Sequence, residues 1–248
     1  MRGDLKTLCP CSLEIYLFVD IMSIKYLKWT PCPYAWYFSP MDTNTIAIVS
    51  DGASRSQNAR GAATCARICG VASELFFEQG FNSVTMEEIA KAAGIRRSTL
   101  YLHYRDKDAV LGGVAESYLA KLRLVYARLP KPAPTREEIE VWVAEFADFA
   151  TRERASTELL ISLSHMPNAP KAAFELGEAV KLLMAERLSA FRRALEPGQP
   201  LALAWGLSTV DGLGWALCHY ARDGKTELSQ SRLTVAAAML NRFVRGEL

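Results

Sequence analysis

The stretch TMEEIAKAAGIRRSTLYLHY, Thr85 to Tyr104, decides how the rest of the chain is read. Thr85 and Glu88 have the spacing of a capping box, in which each side chain satisfies a backbone N–H left open in the first helical turn. Val84 and Ile89 fall where a hydrophobic staple would pack. The helix that starts here ends at Gly94, and a helix of roughly two turns is not stable alone. A second short helix is expected at about Arg97–Tyr104. Its Leu100 and Tyr104 share an inward face, while Arg97 and Tyr101 form a pair pointing away. Two short helices joined through a glycine and pinned to one core make a helix-turn-helix.

The second helix of such a motif must present cationic and hydrogen-bonding groups to base edges, mainly near its N-terminus. Arg96, Arg97, Ser98 and Thr99 open this one, and Tyr101 and His103 follow. Arginine can pair with guanine or bind phosphate, and hydroxyls suit phosphate oxygens. Lys107 adds a cation at the same edge. A lone arginine pair is most often a solvated face. Here the charges sit on a short helix after a capped short helix, and that conjunction favours a nucleic-acid interface.

Working outward, Ile68, Val71, Ala72, Leu75 and Phe76 form one apolar stripe of a preceding helix, which Gly80 ends. Cys65 and Cys69 on that helix read as small apolar fillers. Asp106 can cap a longer helix through Leu111, Val114, Tyr118, Leu122 and Val125, broken by Lys131-Pro132-Ala133-Pro134. Helical spacing returns at Arg136–Arg154 and in segments 156–165, 171–195, 200–222 and 229–245, with no hairpin signal and no internal repeat.

The run Ala72-Ser73-Glu74-Leu75-Phe76, Gln79-Gly80-Phe81, Thr85, Ile89-Ala90, Ala93-Gly94-Ile95, Thr99-Leu100-Tyr101, His103-Tyr104 and Lys107 resembles the N-terminal domain of the TetR (tetracycline-repressor) family of bacterial regulators. The resemblance covers about residues 62–122. It implies an all-α chain: a three-helix helix-turn-helix DNA-binding domain, then a helical effector-binding and dimerisation domain. It also implies a homodimer on a palindromic double-stranded DNA operator, usually a repressor, released by a small molecule in the C-terminal domain. By the same resemblance Thr85 would contact phosphate. Arg96, Arg97 and Ser98 would address bases, and Thr99, Tyr101, His103 and Lys107 mainly the backbone. Three positions depart from the pattern: Arg96 where a Ser or Thr cap is common, Gly70 in mid-helix, and Leu102 where an aromatic or polar residue is common.

The expected organisation is an N-terminal extension over 1–57, a DNA-binding domain over 58–122 and a helical domain over 123–248. Residues 1–40 are rich in aromatics and cysteine and lack a helical period, so they are expected outside the working fold, with Met41 a candidate start. Cys9, Cys11 and Cys32 have no nearby histidine, which makes a metal site a weak reading. Residues 41–60 read as a polar arm.

The C-terminal half carries no motif, so its pocket is sought by composition: mostly apolar, with a few polar groups. Trp142, Phe146, Phe149 and Phe174 supply the apolar part. His165, Asp211, Trp215 and His219 supply polar groups and a further ring. The expected effector is hydrophobic. Asp211 is the one acid between Pro200 and Tyr220, and if buried it would need a partner such as His219 or a cationic ligand. Gly206, Gly212 and Gly214 allow close helix approach, either in a dimer interface with Leu233–Val244 or in an ordinary core.

The 248 residues, half of them hydrophobic, suffice for a sizeable core, and a net charge of +2 gives no strong global field. Six cysteines are too few for a disulfide scaffold. No stretch reads as a membrane span: the closest, Leu13–Ile24, contains Glu14 and Asp20, which also spoil a signal-peptide reading. The cytoplasm is the expected location, with no membrane partner and no cofactor. An enzyme acting on DNA would need clustered acids or an activated nucleophile. His103, His165 and His219 are scattered, and Asp106-Lys107-Asp108 sits at a helix start, where capping explains it. The other alternative is a DNA-bound protein that recruits a protein partner and answers to no effector.

Overall fold

Amphipathic stripes and caps place most of the helices in this chain, and the computed structural model shows what they pack against. It describes Val19–Asp20, Ser23–Ile24 and residues 52–247, with side chains from residue 61. The chain divides into two units, Met1–Ser50 and Asp51–Leu248. In the first, β1 (Val19–Asp20) and β2 (Ser23–Ile24) pair antiparallel, Val19 opposite Ile24 and Asp20 opposite Ser23. The sequence carries no hairpin signal at this place. The cysteines Cys9, Cys11 and Cys32, the aromatic and proline stretch up to residue 40, and residues 41–51 lie outside the described residues.

The second unit is all helix: α1 (Gly52–Gln79), α2 (Met86–Ala92), α3 (Arg97–His103), α4 (Lys107–Arg128), α5 (Arg136–Arg152), α6 (Arg154–Ser164), α7 (Lys171–Arg187), α8 (Ser189–Ala194), α9 (Pro200–Asp223) and α10 (Glu227–Arg245). The expected stripe of α1 is the one that packs: Ile68, Ala72 and Phe76 are buried and Val71 and Leu75 half-buried. Residues 52–60, which read as part of a polar arm, are helical. The expected boundary at 57/58 falls within α1, and that at 122/123 falls within α4, which runs on unbroken. α4 packs against α1 on one side and α7 on the other, tying the N-terminal helices to the rest of the unit.

Gly70 sits at an exposed position of α1, and a methyl group added there would meet no atom within 4 Å. Glycine in a helix interior costs roughly 0.5–1 kcal/mol relative to alanine, chiefly through unfolded-state entropy. Gly70→Ala is therefore expected to stabilise the fold by that amount, raising the thermal midpoint by roughly 1–4 °C in a calorimetric scan. A lowered midpoint would mean that α1 has a neighbour on this face.

The caps form where their spacing is right. Asp106 accepts a hydrogen bond from the Ala109 N–H at the start of α4. A second capping box, Thr135 with Glu138, starts α5. It has the same Thr-x-x-Glu signature as the Thr85 box. The expected helix 171–195 is in fact two, because the chain turns extended at buried Leu188. Tertiary contacts fix that break. The Arg187 guanidinium donates to the carbonyls of Ala127 and Leu129 at the end of α4, and Ser189 N–H donates to the Pro132 carbonyl.

α9 is long and apolar enough, by length and composition alone, to cross a bilayer, with a mean hydropathy of 1.3. The reading that singled out Leu13–Ile24 missed it. α9 packs on α5, α6, α8 and α10 through Gly206, Thr209, Leu213, Ala216 and Leu217, as a core helix does. Gly206 packs within the chain. A Cβ on Gly206 would lie 2.9 Å from Phe243 Cζ of α10 and 3.1 Å from Phe191 Cε2 of α8. Trp205, Phe191 and Phe243 interlock edge to face around that gap.

Candidate nucleic-acid interface

The geometry begins with Thr85. Its hydroxyl and backbone N–H both donate to the Glu88 carboxylate at 2.8 Å, and Glu88 N–H returns a bond to Thr85 Oγ1. The bonds from Thr85, the side-chain one foremost, hold the Glu88 carboxyl below its ordinary range. The stability this adds is present above the unfolded-state value and is lost as pH falls through the lowered one. Val84 and Ile89 are both buried, completing the staple.

α2 ends in a left-handed turn. Gly94 has φ +63°, Ile95 N–H reaches the Ala90 carbonyl and Gly94 N–H reaches that of Lys91. This pair of bonds is a Schellman motif, and a glycine is what its positive φ favours. It leaves Ile95 half-buried against the core and Arg96 as the N-cap of α3. Arg96 makes no side-chain cap, so α3 starts without the hydroxyl that α2 and α5 use. Leu100, fully buried, pins the helix.

The residues predicted to contact DNA divide in two. Arg96, Arg97, Ser98 and Tyr101 are exposed on the outer side, with Thr99 half-exposed beside them. Arg97 lies over the Tyr101 ring at 5.6 Å, touches its hydroxyl at 3.5 Å and stands 3.8 Å from the Glu87 carboxylate. His103 and Lys107 are turned toward the protein. His103 Nδ1 is 3.4 Å from the half-buried Cys65 thiol. Lys107 Nζ donates to the carbonyls of Asn82 and Val84 and sits over the Phe81 ring, clasping the α1–α2 loop to α4. Of the described thiols, Cys69 is buried against the Tyr104 hydroxyl and burial pushes its pKa up. Burial likewise pushes Cys218 up to about 12.

The residues nominated for a ligand also separate. Trp142, Phe146 and Phe149 are buried in an edge-to-face and tilted cluster with Tyr126 and Tyr118. Trp142 Nε1–H donates to the Val125 carbonyl at 2.9 Å, and Tyr118 shares a buried hydrogen bond with Thr157. His165, Asp211 and Trp215 meet at the surface instead: His165 Nε2 is 3.5 Å from Asp211 Oδ1, and its ring is 5.4 Å from that of Trp215. Asp211 is exposed and faces His165, not His219, which corrects the expectation of a buried carboxylate there. His219 lies beside Arg222 and Asp223, and Phe174 is exposed on α7.

Among the described residues the buried carboxylate is Glu158, bound by Arg154 at 2.9 Å. Its i,i+4 spacing from Arg154 was the available signal. A cleft of about 450 Å³ lies where α4 ends and α5 begins, lined by Arg128, Glu138, Val141, Trp142 and Glu145 among others. A second, of about 250 Å³, lies beside Trp205 and Phe243. Trp142 is the one nominated residue among their linings.

Residues 68–114 match the family model described as bacterial regulatory proteins, tetR family. Over 98 residues the chain is 36% identical to the HTH-type transcriptional regulator AcrR of Shigella flexneri, covering 38% of this chain and 46% of that one. Over 103 residues it is 33% identical to the HTH-type transcriptional repressor BepR of Brucella suis, covering 40% and 49%. The chain thus spans about half the length of the curated relatives it matches. A crystal structure of a TetR-family regulator from Bordetella parapertussis superposes with a TM-score of 0.52 at 19% identity, over 72% of this chain and 93% of that one. That likeness concerns the fold.

Proposed function

We propose that this chain, whose residues 68–114 match the TetR family of bacterial regulatory proteins, is a regulator of that kind and a sequence-specific repressor. It binds a palindromic operator as a homodimer in the cytoplasm and is released by a hydrophobic small molecule. The observation that carries the DNA-binding part is the outer face of α3. Arg97 and Tyr101 stand there together, exposed, on a helix whose inner side is locked by Leu100. Arg96 and Ser98 join them as base-reading groups, and Thr85 and Thr99 serve phosphate. Residues 58–122 are the DNA-binding domain and 123–248 the effector and dimerisation domain, with α4 shared between them.

A second subunit is supported by exposed apolar side chains on the two last helices. Leu201 and Trp215 project from α9, and Leu228 and Val235 from α10. Helices with such faces bury them against another copy more readily than against water.

The test is selection of binding sites from random duplex DNA by the full chain at near-physiological salt. A palindrome is expected. Arg97→Ala or Tyr101→Ala should weaken binding to it by roughly 5- to 150-fold, the range for loss of one base-reading contact. Motif-free binding that falls steeply with salt would reduce the interaction to phosphate attraction and overturn the proposal.

One observation favours a second reading, a DNA-bound protein that recruits a protein and needs no effector: the aromatic cluster at Trp142, Phe146 and Phe149 is filled by its own rings. Release of the operator by any apolar compound in a screen would exclude that reading.

A further inference from the structure

Leu102 has no structural work to do. It is 84% exposed, the most exposed of the large hydrophobic residues described, on a helix only seven residues long. At roughly 100° per residue, Ser98 and Leu102 are each turned about 160° from Leu100, the fully buried anchor of α3. They therefore form the middle of its outer face, one turn apart. Arg97 and Tyr101 flank them on one side and half-exposed Thr99 on the other. In the docking that places α3 in the major groove, this outer face is the one turned toward the base edges.

A leucine side chain can neither donate nor accept a hydrogen bond. The one apolar group that base edges present in the major groove is the C5 methyl of thymine. Phosphate and sugar would leave the leucine in water, and the donors and acceptors of guanine, cytosine and adenine would be desolvated by it without compensation. We infer that Leu102 is a specificity-determining residue that reads a thymine methyl group in each half-site. The polar contacts of Arg96, Arg97 and Ser98 surround this contact and do not replace it. This inference rests on the DNA-binding reading above and names the base chemistry for one position of its site.

The experiment uses the full chain and the duplex recovered from random selection. Thymines are replaced one symmetric pair at a time by deoxyuridine, which removes the methyl and leaves the base pair and its hydrogen bonds intact. Burial of one methyl-sized group corresponds to about fourfold in affinity, so a symmetric pair corresponds to roughly fifteenfold. Wild type should lose that much at one symmetric thymine pair. Leu102→Ala should bind the thymine duplex more weakly and show no further loss with deoxyuridine. The residue is exposed, so the variant is expected to fold, which circular dichroism and the thermal midpoint confirm independently.

A wild-type protein indifferent to deoxyuridine at every position overturns the inference while leaving sequence-specific binding in place. So does a Leu102→Ala variant that remains as sensitive as wild type. Failure to recover any site overturns the DNA-binding reading itself, and the role of Leu102 with it.

Discussion

Trp142→Ala is expected to cost about 3–5 kcal/mol, the range for truncating a large buried aromatic side chain. Three losses combine. The indole is 2% exposed, so a cavity remains that the surrounding rings can fill only in part. Its edge-to-face contacts with Tyr126 at 5.5 Å and Phe146 at 5.3 Å disappear. The Val125 carbonyl loses the donor it holds at 2.9 Å. In a domain of this size the thermal midpoint should fall by roughly 6–20 °C. Trp142→Phe, which keeps a ring and gives up the hydrogen bond, should cost distinctly less. The measurement is paired urea and thermal unfolding of the three proteins. A cost below about 1 kcal/mol for Trp142→Ala would mean that this region is loosely packed, and would move it back among candidate effector pockets.

Leu100→Ala should have the next largest effect, and a different one. Loss of a buried leucine costs about 2–5 kcal/mol depending on how far the site collapses. Here the loss falls on a helix of seven residues that has no side-chain N-cap and is otherwise held by the half-buried Tyr104 and the His103–Cys65 contact. The damage should therefore concentrate in α2 and α3. We expect operator binding to disappear while most of the helical signal remains, because most helical residues lie in α1 and α4–α10. Leu100→Met, which conserves volume, should cost less than about 1.5 kcal/mol and keep binding. Titration of operator DNA with each variant, alongside circular dichroism, separates the outcomes. Full operator affinity in Leu100→Ala would show that the outer face of α3 is held from elsewhere.

These two substitutions divide the chain as its energetics do. The aromatic cluster between α4 and α5 stabilises the bulk of the helical body. The anchor at Leu100 contributes less area but orients the surface that meets DNA. α4 joins them, since it packs on α1 and also on α7. A ligand or partner that shifted α4 relative to α7 would move both.

What the sequence alone determined about this protein is what depends on neighbours along the chain. The Thr85–Glu88 box, the Gly94 turn and the Asp106 cap are all satisfied within a few residues, so their spacing sufficed, and the period of the Ile68–Phe76 stripe told which face of α1 would pack. The Thr135–Glu138 box is equally legible from its spacing. Tertiary structure decided the rest, because burial depends on which distant element arrives. No local signal marks the break at Leu188, which exists because Arg187 and Ser189 find carbonyls more than fifty residues back in the chain. Nothing in the helical spacing of α3 turns His103 toward a thiol of α1, or sends the Lys107 ammonium into the α1–α2 loop and away from an outer edge. Asp211 lies on the more apolar helix, α9, and Glu158 on the more polar α6, yet Glu158 is the one buried. Only the packing of α6 against α9 leaves one in water and buries the other beside Arg154.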